Sequence, residues 1–331
     1  MGTERPGSQI LGTGAYAPEK VLSNHDLEKM VDTSDEWIRE RTGIRERRVA
    51  ADGEAASDLA LRASQRALEM AGVRATDLDM IIVGTISADC PMPACAAYLQ
   101  RKLGASQIPS FDVSAACAGF LYGLAIGDQF VRTGALERVL VVGVEVLSRI
   151  LNWKDRSTCV LFGDGAGAVV LGPADGDGRG VLSTKLHTDA SLTDSLYIPA
   201  GGSRERLTPE GLAAQRDKVF MVGSDIFRIA IKNLTSASRA ALDAAGLPTN
   251  AVTWVVPHQA NLRILSQVAQ RLDIPLERFV LNIERYGNTS SASIPIALDE
   301  AVRDGRIKKG DTVLMCALGA GISWGSALVR M

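Results

Sequence analysis

The chain of 331 residues carries 36 lysines and arginines against 38 aspartates and glutamates, a formal net charge of −2 at pH 7, with 46% hydrophobic and 22% charged residues. That balance excludes a generally basic nucleic-acid-binding surface, and the length favours two domains or two fused halves over a single core. No apolar run reaches the roughly 18 residues a spanning helix needs, and Met1–Gln9 is too polar for a signal peptide, so a cytoplasmic protein with no membrane partner is expected.

Apolar strands alternate with longer amphipathic stretches along the chain. In order, the strands are Asp79-Met80-Ile81-Ile82-Val83, Ser110-Phe111-Asp112-Val113, Arg138-Val139-Leu140-Val141-Val142, Trp254-Val255-Val256 and Thr312-Val313-Leu314-Met315. Near-continuous apolar runs of this length suit strands covered on both faces, and the class is α/β. The order of elements repeats. Ala67–Val73 is echoed by Ala241–Leu247 and Val139–Val142 by Val313–Cys316, both at an offset of 174 residues, while Gln129–Gly134 is echoed by Glu300–Gly305 at 171. Two similar halves, residues 1–175 and 176–331, are therefore expected, with a site at their junction and the boundary within Gly172–Gly180.

Five cysteines without paired spacing read as reduced thiols, and three histidines argue against an imidazole metal cluster. Cys90, Cys95, Cys159 and Cys316 read as small core residues. Cys117 differs, because it follows the strand Ser110–Val113 and opens an apolar helix among small neighbours, Ala115-Ala116-Cys117-Ala118-Gly119. A thiol in the first turn of a helix feels the positive end of the peptide dipoles, which favours thiolate and makes it the candidate nucleophile. His258 stands at the end of the strand Trp254–Val256, a position that faces a crevice in α/β sheets, whereas His25 and His187 read as solvent-facing. An offset of 171 carries Cys117 onto Asn288, in Tyr286-Gly287-Asn288-Thr289-Ser290, so that matching helix starts would aim both side chains at one cavity. Cysteine, histidine and asparagine also serve cysteine peptidases, and residue types alone do not choose the reaction.

The wider context resembles the β-ketoacyl-acyl-carrier-protein synthase III family of thiolase-fold condensing enzymes. The segments that carry the resemblance are Thr33–Ile38, Arg41–Arg47, Ala115–Phe120, Phe162–Gly167, Val256–Asn261 and Gly287–Ser290, in order along nearly the whole chain. The resemblance implies a homodimer of duplicated, five-layered αβαβα subunits, with acyl-CoA and malonyl-acyl-carrier protein as substrates and no metal or redox cofactor. It implies a catalytic triad of Cys117, His258 and Asn288, with the backbone N–H groups of Cys117 and Ala320 as oxyanion hole. Trp37, Arg41 and Arg156 would hold CoA, with Trp37 and Arg156 clasping the adenine. Arg228, Arg263 and Arg271 would receive the acidic carrier protein, and Met92, Phe162 and Leu318 would line the acyl pocket, Met92 from the partner subunit.

Three positions depart from the family pattern. Met92 and Leu318 stand where relatives carry aromatic residues, and Ser224 replaces an asparagine. None removes a catalytic group. The expected reaction is decarboxylative condensation that starts fatty-acid synthesis. A synthase of secondary metabolism with a longer, branched or aromatic starter, and a thioester hydrolase, are the alternatives.

Overall fold

The computed structural model describes residues 7–331; the first six residues of the polar Met1–Gln9 stretch lie outside it. The elements that build the first half are strand β1 (Ser8–Tyr16), helix α1 (Asp35–Thr42), helix α2 (Ala56–Ala71), strand β2 (Met80–Gly84), helix α3 (Cys95–Leu103), strand β3 (Ser110–Val113), helix α4 (Gly119–Arg132), and strands β4 (Val139–Glu145) and β5 (Gly165–Pro173). The second half holds strand β6 (Gly180–Thr188), helix α5 (Gly223–Ala244), strand β7 (Trp254–Pro257), helix α6 (Leu262–Leu272), helix α7 (Ser293–Arg303), and strands β8 (Thr312–Gly319) and β9 (Ser323–Arg330).

The two sheets have the same plan. The first runs β1-β5-β4-β2-β3, with β2 parallel to β3 and β4, and β5 antiparallel to β4 and β1. The second runs β7-β8-β9-β6 with the corresponding directions, and a parallel bridge from Val255 to Phe279 stands where β3 stands in the first. The chain passes from one sheet to the other between Pro173 and Gly180.

Alternation along the strands decides the layers. Met80, Ile82, Val139 and Val141 face inward with Phe120, Leu121 and Leu124 of α4, where they meet Val256, Val313 and Met315 of the second sheet and Ile294 and Leu298 of α7. Ile81, Val83, Leu140 and Val142 face outward onto Leu59, Ala63 and Leu99 of α2 and α3. Val255, Leu314 and Leu328 face the other way, onto Ile231, Leu234 and Val268 of α5 and α6. Both faces of each strand are thus apolar, which is why the sequence shows runs rather than alternation. The layers are α2/α3, sheet, α4/α7, sheet, α5/α6, an αβαβα stack.

The register of the repeat differs from the sequence expectation at the place that bears most on function. The turn Ala116–Ala118 before α4 matches the turn Ser290–Ala292 before α7, at an offset of 174. Cys117 therefore corresponds to Ser291, and not to Asn288. The offset falls to 171 only beyond, because α7 has 11 residues and α4 has 14. Each turn contains a non-glycine residue in the left-handed region, Ala116 at φ 45° and Ser290 at φ 48°. Such backbone costs of order 1–3 kcal/mol and persists where the surroundings enforce it.

Those surroundings include glycines that let the halves approach closely. A Cβ at Gly143 of β4 would collide with the Ser291 carbonyl, and one at Gly84 of β2 would lie 2.7 Å from Ser291 Oγ. Gly143→Ala should lower stability by about 1–3 kcal/mol, as overpacking against backbone does. The midpoint of urea unfolding reads the loss, and an unchanged midpoint would mean that the crossing of the halves is looser than this geometry requires.

Candidate active site

Cys117 sits in the turn before α4, only 8% exposed. It lines two cavities at once. One, of about 420 Å³, is bordered by Ile86, Leu147, Leu151, Phe162, Ile198 and Val219 and reaches Ala320. The other, of about 300 Å³, is bordered by His258, Asn288, Leu318, Trp37, Arg41, Arg156 and Arg263. Phe162 and Leu196 border both, so the thiol stands at the neck between an apolar chamber and a mouth lined with arginines. Gly319 explains how Ala320 reaches this place. A Cβ on Gly319 would meet the Cys117 backbone nitrogen at 2.5 Å, so only glycine lets the β8 terminus lie against the nucleophile.

The charge state of the thiol departs from the sequence expectation. Burial pushes Cys117 up to about 12, the nearby Ser290 hydroxyl and its own amide N–H favour the ionised form, and the Glu145 charge opposes it. The resting residue is a thiol, because desolvation outweighs a helix start.

His258 follows β7, its backbone N–H donating to the Cys316 carbonyl at 2.8 Å. Its Nδ1 lies 2.7 Å from Ser293 Oγ, and that oxygen also accepts the Gln259 N–H at 3.3 Å. A serine hydroxyl donates one proton, and where Ser293 gives it to Nδ1 the histidine proton stands on Nε2. Burial pushes the imidazole down to about 3, so it is neutral at physiological pH. Asn288 is held from both sides: its N–H donates to the Leu161 carbonyl at 2.8 Å, and its carbonyl accepts from Gly163 N–H at 3.0 Å. Its Oδ1 accepts the Ser290 N–H at 2.8 Å, which leaves the amide Nδ2 as a free donor. Behind this clamp lies Arg47, fully buried and without a carboxylate partner among the described residues. Its guanidinium donates to Asn24 Oδ1 at 2.9 Å and to the carbonyls of Leu22 and Val160 at 3.1 and 2.8 Å.

At the mouth, the guanidinium carbons of Arg41 and Arg156 lie 5.0 and 5.2 Å from the Trp37 ring centroid. Arg156 donates to the Asp32 carbonyl at 2.9 Å. Arg263 lies 5.6 Å from the Phe227 ring.

One sequence assignment, Leu318, differs from what the structure shows, and the structure specifies the surroundings of three others. Leu318 borders the chamber of His258 and Asn288, not the apolar one, because its strand faces the mouth. Met92 is 84% exposed on the loop between β2 and α3 and borders neither cavity of its own chain. Arg228 is paired with Asp225 at 2.7 Å on the exposed face of α5 and does not border the mouth. Arg271 belongs to a separate groove with Lys232 and Arg239. Ser224 is exposed at the start of α5. Sequence reasoning missed Ser290, Ser293 and Glu145. Ser290 closes the Asn288 motif, and Glu145 ends an apolar strand run where an acid is out of place; both signals were present.

A duplicated α/β chain with a cysteine, a neutral histidine and an asparagine converging at the junction of its halves defines a condensing enzyme of the thiolase fold. Family models described as 3-oxoacyl-(acyl-carrier-protein) synthase III and its C-terminal part match residues 111–190 and 242–331. A β-ketoacyl-acyl-carrier-protein synthase III of Xanthomonas campestris is 52% identical over 331 residues, covering 99% of both chains, and one of Caldanaerobacter subterraneus is 50% identical over 327 residues, covering 99% of this chain and 98% of the relative. The crystal structure of the Aquifex aeolicus synthase III superposes with a TM-score of 0.90 at 44% identity, covering 98% of this chain and all of the other. A priming β-ketosynthase of a polyketide biosynthetic pathway superposes with a TM-score of 0.91 at 36% identity, covering all of this chain and 98% of the other. The chain belongs to the β-ketoacyl-acyl-carrier-protein synthase III family.

If Ser293 fixes the tautomer of His258, Ser293→Ala should slow malonyl-thioester decarboxylation roughly fivefold, the worth of one neutral hydrogen bond of about 1 kcal/mol. The wild-type rate should show no histidine titration as pH falls through 6.5, since the imidazole takes a proton only towards pH 3. An inflection near 6.5 that depends on His258 would contradict the neutral assignment.

Proposed function

We propose that the protein joins an acyl group from acyl-CoA to the two-carbon unit left when malonyl-acyl-carrier protein loses CO₂, the condensation that starts fatty-acid synthesis, with Cys117, His258 and Asn288 carrying the chemistry. The observation that carries this reading is the meeting of the two cavities at Cys117. One holds the acyl chain, and the other admits the long thioester arm.

In the first half-reaction the Cys117 sulfur attacks the acyl-CoA carbonyl and gives up its proton, and the CoA sulfur leaves with the C–S bonding pair and takes up a proton, so that CoA departs as the free thiol. Storing the acyl group on the enzyme splits a three-component condensation into two ordered steps. The oxyanion of each tetrahedral stage is assigned to the backbone N–H groups of Cys117 and Ala320. In the second half-reaction CO₂ departs and negative charge develops on the malonyl thioester oxygen. Nε2–H of His258 and Nδ2–H of Asn288 are both free to donate to it, and a neutral imidazole donates without first being discharged. The enolate carbon then attacks the acyl-Cys117 carbonyl, and the Cys117 sulfur leaves. These steps call on no metal and no redox cofactor.

Trp37, Arg41 and Arg156 are assigned to the CoA nucleotide. Arg156 and Trp37 are in direct contact in the free protein, so an adenine entering between them replaces a cation–π contact with two stacking faces. Arg263, at the mouth itself, is the best-placed receiver of an acidic carrier protein. Arg228, paired with Asp225, and Arg271, in its separate groove with Lys232 and Arg239, lie away from the mouth and are assigned only to the outer reach of such a docking patch. We assign the protein to the cytoplasm as a homodimer, as the resemblance implies; no helix among the described residues is long and apolar enough to cross a membrane, and Met92 is exposed.

A second reading concerns the starter. The chamber is lined by apolar side chains, Ile86, Leu147, Leu151 and Val219 among them, which suits a longer or branched starter of the kind a secondary-metabolism synthase takes.

A reconstituted assay tests both. His258→Ala and Asn288→Ala should keep acylation of Cys117 and each lose roughly 10²–10³-fold in condensation with malonyl-carrier protein, the usual cost of one donor to a developing oxyanion. Equal loss of both half-reactions would contradict the division of roles. In competition, a longer or branched acyl-CoA should load at least as fast as acetyl-CoA, and strict preference for acetyl would leave only the first reading.

A further inference from the structure

Arg47 lies in the short antiparallel pair formed by Lys20–Ser23 and Glu46–Val49, is 0% exposed, and takes no part in the mechanism above. Its neighbours Arg45 and Arg48 pair with Glu284 and Glu46, but none of the ion pairs among the described residues includes Arg47. Its Nε has no partner, so every bond it makes runs through its two terminal nitrogens. Nη1 donates to Asn24 Oδ1 at 2.9 Å and to the Leu22 carbonyl at 3.1 Å, while Nη2 donates to the Val160 carbonyl at 2.8 Å. Burial lowers the guanidinium to about 10, and it stays charged at neutral pH. A buried cation without a counter-ion is costly, and an apolar side chain of similar volume would fill the same space without that cost.

Each terminal nitrogen leads to a different part of the site. Asn24, whose Oδ1 is held by Nη1, turns its own Nδ2 to Asp35 Oδ1 at 2.9 Å and to the Ile44 carbonyl at 2.8 Å. Asp35 is the first residue of α1 and Ile44 lies just past its end, so one asparagine grips both ends of the helix that carries Trp37 and Arg41. On the other side, Val160 borders the mouth and precedes Leu161, Phe162 and Gly163, the segment whose carbonyl and N–H clamp Asn288. The stem of Arg47 meets the same clamp. A Cβ on Gly163 would lie 3.0 Å from Arg47 Cβ, and one on Gly287, the residue before Asn288, would lie 3.4 Å from it.

We propose that Arg47 is a positioning residue that ties the nucleotide clasp to the enolate donor, so that the helix bearing Trp37 and Arg41 and the segment gripping Asn288 keep one fixed spacing across the mouth. The inference rests on the assignment of Trp37 and Arg41 to CoA and of Asn288 to the enolate. Arginine suits the task because its planar fork presents donors in two fixed directions, whereas the single nitrogen of lysine serves one side or the other. The two sides bear on different half-reactions. Acyl-CoA brings a nucleotide to α1, while the carrier protein brings its thioester arm without one. The Nη1 side therefore acts on CoA alone, and the Nη2 side on condensation.

Binding of CoA, read by titration calorimetry, and condensation of pre-acylated protein with saturating malonyl-acyl-carrier protein test the two sides separately. Arg47→Lys should weaken CoA roughly tenfold and slow condensation roughly tenfold, the scale of one lost hydrogen bond from a charged donor. Asn24→Ala cuts only the link to α1. It should weaken CoA by a similar factor and leave condensation within about twofold of wild type, as uncoupled sites do. That split separates positioning from a general loss of structure, which would lower both. Asn24→Ala decides the matter alone if Arg47→Lys does not fold. An Arg47→Lys protein that binds CoA and condenses like wild type would overturn the proposal, as would an Asn24→Ala protein with unchanged CoA affinity or with condensation slowed as much as CoA is weakened. Wild-type protein that binds no CoA would instead remove the assignment beneath the inference, so the two failures are distinguishable.

Discussion

Two matching chain reversals meet at the centre of the molecule, and the site exists because they pack without a gap. The elbow at Ala116 delivers Cys117, and the elbow at Ser290 delivers the hydroxyl beside it. Both are followed by helices that lie side by side in the middle layer. Contact that close is open only to glycine at Gly84, Gly143 and Gly319, where any side chain would strike backbone or the Ser291 side chain. Histidine and asparagine are then fixed by what the same contact leaves over. Ser293, the first residue of α7, orients His258, and the Leu161–Gly163 segment grips Asn288 from behind.

Burial, more than any dipole, sets the electrostatics of this centre. A helix start is worth about 0.3–1 kcal/mol to a charge near it. The rise of Cys117 from an ordinary 9.0 to about 12 corresponds to roughly 4 kcal/mol against thiolate. The same desolvation keeps His258 uncharged and lifts Glu145 towards neutrality. Cys117 and His258 are therefore both uncharged at rest, although the site handles an oxyanion, an enolate and a sulfur nucleophile in turn. Fixed N–H and O–H groups meet each charge as it forms and need little rearrangement to do so.

Much of this was legible in the sequence. Strand runs apolar on both faces announced covered sheets, and the echo of Ala67–Val73 in Ala241–Leu247 announced the duplication; both follow from short-range patterning. Cys117, His258 and Asn288 stood out because each ends or opens an element at the junction. Three-dimensional detail was less accessible. The gap placement that tied Cys117 to Asn288 failed because α7 is shorter than α4, a difference that shifts the apparent offset without moving the elbow. The charge state of the thiol failed because a helix start is visible in sequence and burial at the meeting of two halves is not. Leu318 was assigned to the wrong chamber because strand direction fixes the face but not which cavity that face borders. Arg228 and Arg271 showed their charge, while the groove each belongs to depends on how α5 and α6 pack.

The central claim is that Cys117 takes an acyl group from CoA while buried between the two cavities. Its most direct test is the intact mass of the protein after mixing with acyl-CoA, with the modified peptide then identified. The account predicts one acyl group per chain on the Cys117 peptide, absent in Cys117→Ala. Wild-type protein that gains no acyl mass from any CoA thioester offered, or that gains it equally in Cys117→Ala, would contradict it.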